Sequence, residues 1–424
     1  MYVAHRYRVC GRADRRKKGV EFNFAMETGL ISNTLTYDNL GRKISMIDPD
    51  KGTWTYAYNA FGELISQVNG NNQKSVMGYD SLGRMTSRKD VKAGGNETLT
   101  TDWLSSTAWV YDTDPGVTKN NRLLRMDHTQ YEGGTSKLRT LYSYDALGRG
   151  NGVQIIADDG SSTSNGVDVA RTVEFDAYGR TRMEFDATDS NAGVQYDYNA
   201  FGYVQAIRES AILTGNAQGR PYVEIKGQTP RGQLTSAVIG GKFNVSRYYD
   251  PVTGRLEHLG AGEAFSDTLQ YIDLDYDVLG LVTRREKRMG GTALVDSYQY
   301  DQLNRLTQTN TTVGSNSVTQ VLSYDSFGNI KSKSDVGNYA YTDARPHAAT
   351  TINSQTYSYD NNGNMSSGNG RTLYHTAFDK PYRVTQGAND ISFAYGDNRQ
   401  RFKRVDAHLK KTTYYLGNVE IRII

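Results

Sequence analysis

Apolar and polar residues alternate along much of this chain with a period of two, the spacing of a β-strand whose two faces differ. In the run 53–58 the aromatic residues Trp54, Tyr56 and Tyr58 share one face, while Thr and Ala occupy the other. The run 43–47 alternates in the same way, and turn residues at 48–52 separate the two runs. The pattern predicts short strands joined by tight turns, with an aromatic face on the second strand.

A six-residue phrase ends each of these aromatic strands. It reads Tyr37-Asp38-Asn39-Leu40-Gly41-Arg42 and returns, with small changes, at Tyr58 and at Tyr79, 21 residues apart each time. The Asp or Asn side chain can accept hydrogen bonds from backbone N–H groups that follow it, and Gly tolerates the positive φ that reverses the chain. We interpret the phrase as a hairpin corner in which the aromatic residue packs, Asp accepts and Gly reverses.

The phrase continues with drifting spacing through most of the chain, which is the signature of a repeat architecture. One copy, at 300–305, has Asn in place of Gly, which the left-handed geometry of such a turn permits. The copies at Phe378-Asp379 and Tyr395-Gly396 are eroded. The predicted structural signature residues are Tyr37, Asp38, Gly41, Arg42, Tyr58, Asn59, Gly62, Tyr79, Asp80, Gly83, Arg84, Tyr144, Asp145, Gly148, Arg149, Phe175, Asp176, Gly179, Arg180, Tyr198, Asn199, Gly202, Tyr249, Asp250, Gly254, Tyr276, Asp277, Gly280, Tyr300, Asp301, Tyr324, Asp325, Gly328, Tyr359, Asp360 and Gly363.

The repeats predict the domain organisation and the fold class. Residues 1–30 do not repeat and carry a basic run at 15–18, which predicts a poorly ordered leader. Residues 31–424 form one repeat region, less regular near 86–140 and 205–247. Because a lone hairpin is marginal in water, each unit must pack against its neighbours. We predict an all-β fold, a long antiparallel β-meander of repeated hairpins that curls until its aromatic faces and edges are covered.

Composition excludes some partners and leaves others open. The formal net charge is +3, from 49 basic and 46 acidic residues, so no global field points to nucleic acid. Cys10 is the only cysteine, and no intrachain disulfide can form. No apolar run reaches the ~18 residues of a membrane helix, and no ordinary signal peptide is visible, so the residues alone leave the location of the protein unknown.

Candidate chemistry is sparse. The six His residues are dispersed and lack the spacing of metal ligands. The acidic turns around Asp48 and Asp158 lack the ligand count of a calcium loop, and no nucleophile elbow or phosphate loop occurs. The repeated Asp already has a structural role as turn acceptor, and interstrand packing explains the Tyr faces better than stacking on sugar rings. We therefore predict no catalytic, cofactor-binding or metal-binding residues, and no enzyme activity.

The recurring Y-D-x-x-G-R phrase, with a period near 20 and an aromatic strand before each corner, resembles the YD or Rhs repeat family. This family includes bacterial Rhs polymorphic toxins, insecticidal toxin complex shells and the teneurin extracellular shell, and the resemblance covers about 390 residues. It implies a β-sheet that spirals into a partly or fully hollow shell, secreted or at the cell surface. Toxin members close their shell with a D-P-x-G-L-type segment for self-cleavage; no such segment occurs here, so self-cleavage and toxicity are not carried over.

The residues and the resemblance together leave three functions open. The leading hypothesis is a structural shell segment that encapsulates or displays a toxin or partner polypeptide, without catalysis of its own. The alternative is a cell-surface adhesion module of teneurin-like type that binds a glycan or a protein. A propeller-like glycan-active enzyme is the third, since two repeats match one four-stranded blade, but the unequal gaps between copies argue against it.

Overall fold

The computed structural model describes residues 20–26, 29–112, 122–158, 166–185, 193–210, 219–263 and 269–424. These residues form 35 β-strands and one short 3-10 helix at Thr100–Asp102. Consecutive strands pair antiparallel, as the alternating sequence pattern requires of hairpins joined end to end. The all-β antiparallel meander predicted from the sequence is confirmed.

The chain divides into two compact units, described separately. Unit 1 comprises Met1–Val169, Tyr324–Asn329 and Asn338–Ile424, and unit 2 comprises Ala170–Ser323 and Ile330–Gly337. The first strands of unit 1 are β1 Val20–Met26, β2 Gly29–Tyr37, β3 Lys43–Asp48, β4 Gly52–Tyr58, β5 Leu64–Val68, β6 Lys74–Tyr79, β7 Met85–Val91, β8 Trp103–Tyr111, β9 Leu123–Gln130, β10 Ser136–Tyr144 and β11 Gly150–Ala157.

Fourteen strands of the described chain lie wholly or mainly in unit 2. They are β12 Val167–Phe175, β13 Thr181–Phe185, β14 Gly193–Tyr198, β15 Val204–Glu209, β16 Pro221–Gln228, β17 Leu234–Ile239, β18 Phe243–Tyr249, β19 Leu256–Glu263, β20 Gln270–Tyr276, β21 Val282–Met289, β22 Thr292–Tyr300, β23 Leu306–Val313, β24 Asn316–Tyr324 and β25 Ile330–Lys333.

The remaining strands complete unit 1. They are β26 Gly337–Ala340, β27 Thr351–Ile352, β28 Gln355–Tyr359, β29 Met365–Gly368, β30 Arg371–His375, β31 Pro381–Gln386, β32 Asn389–Tyr395, β33 Arg401–Asp406, β34 Lys411–Leu416 and β35 Val419–Ile423.

The structure describes only part of the predicted leader, residues 1–30. Residues 1–19 and 27–28 lie outside the described residues, whereas β1 and the start of β2 belong to the leader and are described. The less regular spans are occupied by paired strands too, β7 to β10 in the first and β15 to β18 in the second. Uninterrupted pairing from β2 to β11 does not fit separate four-stranded blades, so it gives no support to a propeller.

Along much of the described meander, a corner that carries the signature phrase alternates with a turn that does not. We call the turns at the opposite end of the strands return turns. A register shift accompanies the aromatic residue that precedes a corner, as at Tyr37, Tyr58 and Tyr79. Such a bulge lets two residues on one strand oppose one on the next, and it increases the local twist. The bulge therefore recurs with the signature and places each corner in the same way.

The core of unit 1 lies between two stretches of sheet that are far apart in sequence. Val91, Leu138, Phe402 and Leu416 are almost fully buried there. The close approach of Leu138 to Gly396 shows that side chains of the first stretch, β3 to β11, reach the backbone of the second, β28 to β34. Unit 1 is thus held by packing between these stretches as well as by strand pairing.

Candidate functional site

The corner at 37–42 shows what each signature residue does. One carboxylate oxygen of Asp38 accepts the backbone N–H groups of Leu40 and Arg42, each at 2.9 Å. The other accepts Nε–H of Arg42 at 2.6 Å. Gly41 has φ +79°, a conformation that L side chains rarely adopt. The backbone hydrogen bond from Arg42, with the adjacent guanidinium, lowers the pKa of Asp38, so its carboxylate stays charged at neutral pH.

The same hydrogen bonds recur at corners throughout the chain. Asp80, Asp145, Asp176 and Asp301 each accept two backbone N–H groups and the Nε–H of the Arg four residues later. At Asn199 the side-chain carbonyl accepts the two backbone groups alone. In the Asp301 copy, Asn304 occupies the Gly position with φ +61°. The carboxylate serves mainly to close the turn.

Neighbouring corners are joined through the signature Tyr. Tyr58 donates its hydroxyl to the carbonyl of Lys43, the residue that follows the Arg of the previous corner, at 2.9 Å. Arg42 of that corner lies over the ring of Tyr58, 5.0 Å from its centroid. The same hydroxyl contact is made by Tyr79, Tyr144, Tyr198, Tyr276 and Tyr300. Sequence reasoning assigned neither the hydroxyl nor the Arg this role, although their fixed positions in the phrase carried the signal.

In unit 1 some corners do not face solvent. The corners at 359–364, 376–380 and 396–400 contact the return-turn side of β3 to β11, and we call this contact the seam. Asn71, in the return turn between β5 and β6, accepts N–H of Asn361 at 2.9 Å and donates its side-chain amide to Asp360 at 3.0 Å. Its own N–H donates to the side chain of Asn362, which is 2% exposed. A polar turn and a polar corner thus satisfy each other's hydrogen bonds.

Close backbone approach accompanies these bonds. A Cβ atom on Gly70 would lie 2.5 Å from the carbonyl oxygen of Lys51 and 2.6 Å from that of Asn361. Glycine is required at this position because of the space and not because of a positive φ. In the same turn as Lys51, Asp50 shares a hydrogen bond of 2.6 Å between a carboxylate oxygen and Nδ1 of His347. Asp50, one of the acidic turn residues of the sequence analysis, is therefore held by a protein partner.

Gln130 forms the most buried polar link of the seam. Its amide donates to the carbonyl of Phe393 at 2.9 Å, and its side-chain oxygen accepts N–H of Tyr395 at 2.9 Å. The side chain is 1% exposed and also donates to the carbonyl of Glu132. Gln130 therefore provides hydrogen-bond partners for two backbone groups of β32, and buried backbone polar groups in folded proteins nearly always have such partners.

Titratable side chains surround this link. His128, 2% exposed, shares a hydrogen bond of 2.8 Å between Nδ1 and the hydroxyl of Thr107. Burial, with the positive charge of Arg88, lowers the pKa of His128 to about 4, so the ring is neutral at pH 7. Burial, with the negative charge of Asp90, raises the pKa of Glu132 well above its ordinary value. Asp90 itself accepts from the hydroxyls of two Ser residues at 2.6 Å.

Ion pairs and hydrogen bonds continue the seam at its two flanks. Arg88 donates to the carbonyl of Asp397 at 2.8 Å. Lys403 pairs with Asp158 at 2.5 Å, and the hydroxyl of Tyr414 donates to the same carboxylate at 2.9 Å. Asp158 belongs to the second acidic turn of the sequence analysis, and it is bound by protein groups as Asp50 is.

Unit 2 holds an open concavity of about 500 Å³ that brings several acidic side chains together. Asp250, Asp273 and Asp277 line it beside Arg255. Asp273 pairs with Arg284 at 3.1 Å, so part of the negative charge is compensated. Within the described residues, no group of three or more His, Cys, Asp or Glu side chains has the arrangement of a metal site. In the same residues, no helix has the length and apolarity to cross a membrane.

The predicted signature residues fall into two sets. Those of unit 1 include the corners near Asp38, Asn59, Asp80 and Asp145, whose tips are exposed, and the corner of Asp360, which lies in the seam. A further corner of unit 1, at 324–329, contacts the loop before β27, where Asn329 donates to the carbonyl of Pro346 at 2.9 Å. Those of unit 2 lie along one end of its strands. The seam residues Asn71, Gln130 and His128 were not predicted.

No protein-family model matches the chain, and no curated protein matches it in sequence. Solved structures do match. The crystal structure of TcdB2–TccC3 without its hypervariable C-terminal region is 16% identical over 92% of this chain, with a TM-score of 0.72. The complete TcdB2–TccC3 is 15% identical over 94%, with a TM-score of 0.63. The Photorhabdus luminescens Tc holotoxin pore with a TccC3 mutant is 15% identical over 93%, with a TM-score of 0.62.

These matches establish a likeness of fold. The chain has the fold of part of the TcdB2–TccC3 toxin proteins, and it spans between 21% and 24% of the length of the chains it matches.

Proposed function

We propose that this chain is a structural shell segment of an Rhs or YD-repeat protein, which encapsulates or displays a toxin or partner polypeptide and has no catalysis of its own. The observation that carries the proposal is the likeness of fold to TcdB2–TccC3 over 92% of the chain, at a TM-score of 0.72. The partner would be an enclosed or fused polypeptide, without nucleic acid, and the protein would act after secretion or at the cell surface.

The corners support a wall-building role. The signature residues Asp38, Asp80, Asp145, Asp176 and Asp301 accept hydrogen bonds from backbone N–H groups and from the guanidinium of their own corner. Each linking Tyr spends its hydroxyl on the previous corner. Residues bound in this way stabilise a repeated sheet and are poorly placed to act as acid, base or nucleophile on a substrate.

The seam supports the same proposal, because a container needs contacts that join distant parts of the chain. Gln130 and Tyr395 are 265 residues apart, and Asn71 and Asn362 are 291 residues apart. Contacts of this kind join strands of unit 1 that are far apart in sequence, and they are polar and specific in register.

Two measurements test the proposal. Electron microscopy of the recombinant chain should show a curved sheet that bounds a cavity; a compact solid particle would contradict it. An unstructured reporter polypeptide fused after Ile424 should resist trypsin longer on the wild-type chain than on the seam variant Gln130→Leu. The exposed-strand variant Gln355→Leu is the matched control and should protect as the wild type does. Equal cleavage in all three fusions would argue against encapsulation.

A further inference from the structure

The length of the strands changes abruptly at one place in unit 2. The strands β21 to β24 have eight or nine residues each, whereas the next strand, β25, has four. The contact between β24 and β25 ends where N–H of Ser334 donates to the carbonyl of Val321 at 3.0 Å and N–H of Val321 donates to the Ser334 hydroxyl at 3.0 Å. Residues 316–320 of β24 therefore extend beyond β25, over a length of about 17 Å.

The backbone of 316–320 has polar groups on both edges of the strand, and β23 pairs with one of these edges. In an antiparallel pair, residues that bond to the neighbouring strand alternate with residues whose N–H and C=O point away from it. The N–H and C=O of Val321 point away from β23, because both bond to Ser334. By the same period of two, Ser317 and Thr319 each direct one N–H and one C=O to the edge that β25 does not reach.

This stretch lacks the charged residues and proline with which proteins commonly protect the edge of a sheet. Residues 306–324, which form β23, its turn and β24, contain neither, although 22% of the whole chain is charged. Ser317, Val318 and Thr319 are all exposed, Val318 to 69%. An exposed, uncharged edge that is rich in Thr and Val is a template for a further strand.

Side-chain hydrogen bonds hold this stretch in an extended conformation. The hydroxyls of Ser317 and Thr319 both donate to the side-chain carbonyl of Asn310 on β23, at 2.7 and 3.0 Å. These bonds run between side chains, so they do not use the backbone groups at the edge. The edge is thus ordered before any ligand binds, which lowers the entropy cost of binding.

The chemistry of this edge indicates the kind of ligand that fits it. Backbone N–H and C=O groups that recur every second residue match the backbone of another extended polypeptide. A charged side chain placed beside the edge would find no partner of opposite sign within 306–324, so a segment without charged residues is favoured. The turn at 334–336, which follows β25, bounds the site at one end, so the site accepts one short strand.

We propose that the edge of β24 at 316–320 binds an extended, uncharged segment of the partner polypeptide as an added β-strand. The proposal rests on the shell function proposed above, and it names the contact that holds the partner. Backbone hydrogen bonds supply most of the affinity in such a contact, so partners of different sequence bind as long as the segment is extended and uncharged.

The first test uses a fluorescently labelled peptide with the sequence of β23, Leu306–Val313, which carries no charge and already pairs with β24 on the other edge. Its fluorescence anisotropy should rise and saturate as the full chain is added up to about 1 mM, a range that covers small, transient contacts. The same peptide N-methylated at every residue has no backbone donor and should not bind. This comparison tests the backbone hydrogen bonds on the unaltered chain.

The second test changes one backbone group of the chain. Thr319→Pro removes the N–H that faces the free edge and leaves the bonds to β23 in place, because proline is tolerated where the N–H of a strand points away from its neighbour. Thr319→Val is the matched control, since it loses the same hydroxyl bond to Asn310 and keeps the N–H. The peptide should bind Thr319→Pro about tenfold more weakly than Thr319→Val, and Thr319→Val should bind it as the wild type does.

Three results would overturn the proposal. One is a wild-type chain that does not bind the peptide at about 1 mM, and another is equal binding by the two variants. The third is a wild-type chain that dimerises in sedimentation velocity when Thr319→Pro does not, with no competition by the peptide, because a second copy would then occupy the edge. The shell function is tested separately by protection of the fused reporter, so a chain that protects the reporter without binding the peptide retains the shell function and loses this contact.

Discussion

Unit 1 contains corners of one type in two environments, facing solvent and packed in the seam. Comparing the two sets shows what the seam contributes. The solvent-facing corners at 37–42 and 79–84 keep the full phrase, with Asp, Gly and Arg in place. The seam corners at 376–380 and 396–400 have lost most of it. Thr376 and Gly396 stand where Asp is expected, and Asp379 and Arg399 stand where Gly is expected, with φ of +64° and +61°.

The eroded corners fold in the same way because the seam replaces what they lack. A non-Gly residue in the left-handed region costs roughly 1 kcal/mol or more. Asn69 donates to the carbonyl of Ala377 and Arg88 to that of Asp397, so polar groups from the return-turn side hold the two turns. At these two corners packing takes the place of the missing signature residues, whereas the seam corner at 359–364 keeps Tyr359, Asp360 and Gly363.

The largest effect should come from the buried link of the seam. Replacing Gln130 by Leu removes the hydrogen bonds that its side chain makes with N–H of Tyr395 and the carbonyl of Phe393, at a position that is 1% exposed. We expect a loss of about 2 to 4 kcal/mol of unfolding free energy, since each orphaned group costs about 1 to 3 kcal/mol. All three Trp residues lie in unit 1, so urea unfolding followed by Trp fluorescence reports on this unit.

Gln355→Leu is the control for that loss, because Gln355 lies on an exposed position of β28. It should change the unfolding free energy by less than about 0.5 kcal/mol. If the two variants lose the same stability, the seam is not a stabilising contact and the comparison with the solvent-facing corners fails.

The second effect depends on pH. The folded protein keeps His128 neutral, with its pKa lowered to about 4 from an ordinary value of 6.5. Below pH 6.5 the unfolded chain therefore takes up a proton that the folded chain does not, and stability falls as the pH drops toward 4. At pH 5 the expected loss relative to neutral pH is about 2 kcal/mol.

The variant His128→Gln cannot take up this proton. The unfolding free energy of this variant should approach or exceed that of the wild type as the pH falls from 7.5 to 5. At pH 7.5 the imidazole of His128 is neutral in the folded and the unfolded wild type, so the difference in unfolding free energy between the two proteins at that pH measures packing alone. Glu132 contributes a pH dependence of opposite sign, because its pKa is raised in the folded protein and its contribution to stability is lost as the pH rises above the ordinary pKa of Glu. Both proteins contain Glu132, so this contribution cancels when their profiles are compared. Parallel pH profiles for the two proteins would contradict the buried position of His128.

The fold was predictable because its signals are local. Alternation at 53–58 and the Tyr-Asp-Gly spacing each span fewer than ten residues, and strand pairing between neighbours follows from them. The seam was not predictable, because its partners are nearly 300 residues apart and the repeat period does not say which corners meet which return turns. Asn71 reads as an ordinary turn residue and Gln130 as an ordinary strand residue.

A part of the corner chemistry lay within reach of the sequence. Tyr and Arg recur at fixed positions within the phrase, although the distance from one copy to the next varies, and this recurrence is the signal that a group in one copy contacts a group in the next. The two eroded copies were predicted, but the one at Phe378-Asp379 was placed in the wrong register, because Thr376 stands at the Asp position and Asp379, with φ +64°, at the Gly position.

The third effect concerns space alone. Gly70→Ala would place a Cβ within 2.6 Å of two backbone carbonyl oxygens, so backbone must move and the seam must open locally. We expect a loss of about 1 to 3 kcal/mol, the range for overpacking in a tight site. Gly150→Ala is the matched control, because its nearest neighbour is the ring of Tyr144 at 4.0 Å. Urea unfolding of unit 1 by Trp fluorescence should separate the two, and equal midpoints would show that the return turn yields freely.

The smallest effect compares one hydroxyl in the two environments. Tyr58 donates to the carbonyl of Lys43 at 2.9 Å on a partly exposed corner, and Tyr395 donates to the carbonyl of Pro381 at 2.7 Å while only 6% exposed. In Tyr58→Phe, water can reach the freed carbonyl, and we expect a loss of about 0.5 kcal/mol. In Tyr395→Phe the freed carbonyl lies beside a ring that is only 6% exposed, and the loss should be about 1 to 2 kcal/mol. The two substitutions remove the same atom. The difference between their losses of unfolding free energy therefore measures how much more the hydroxyl hydrogen bond contributes in the seam than at a solvent-facing corner. A larger loss for Tyr58→Phe, or equal losses, would show that the seam does not strengthen this hydrogen bond.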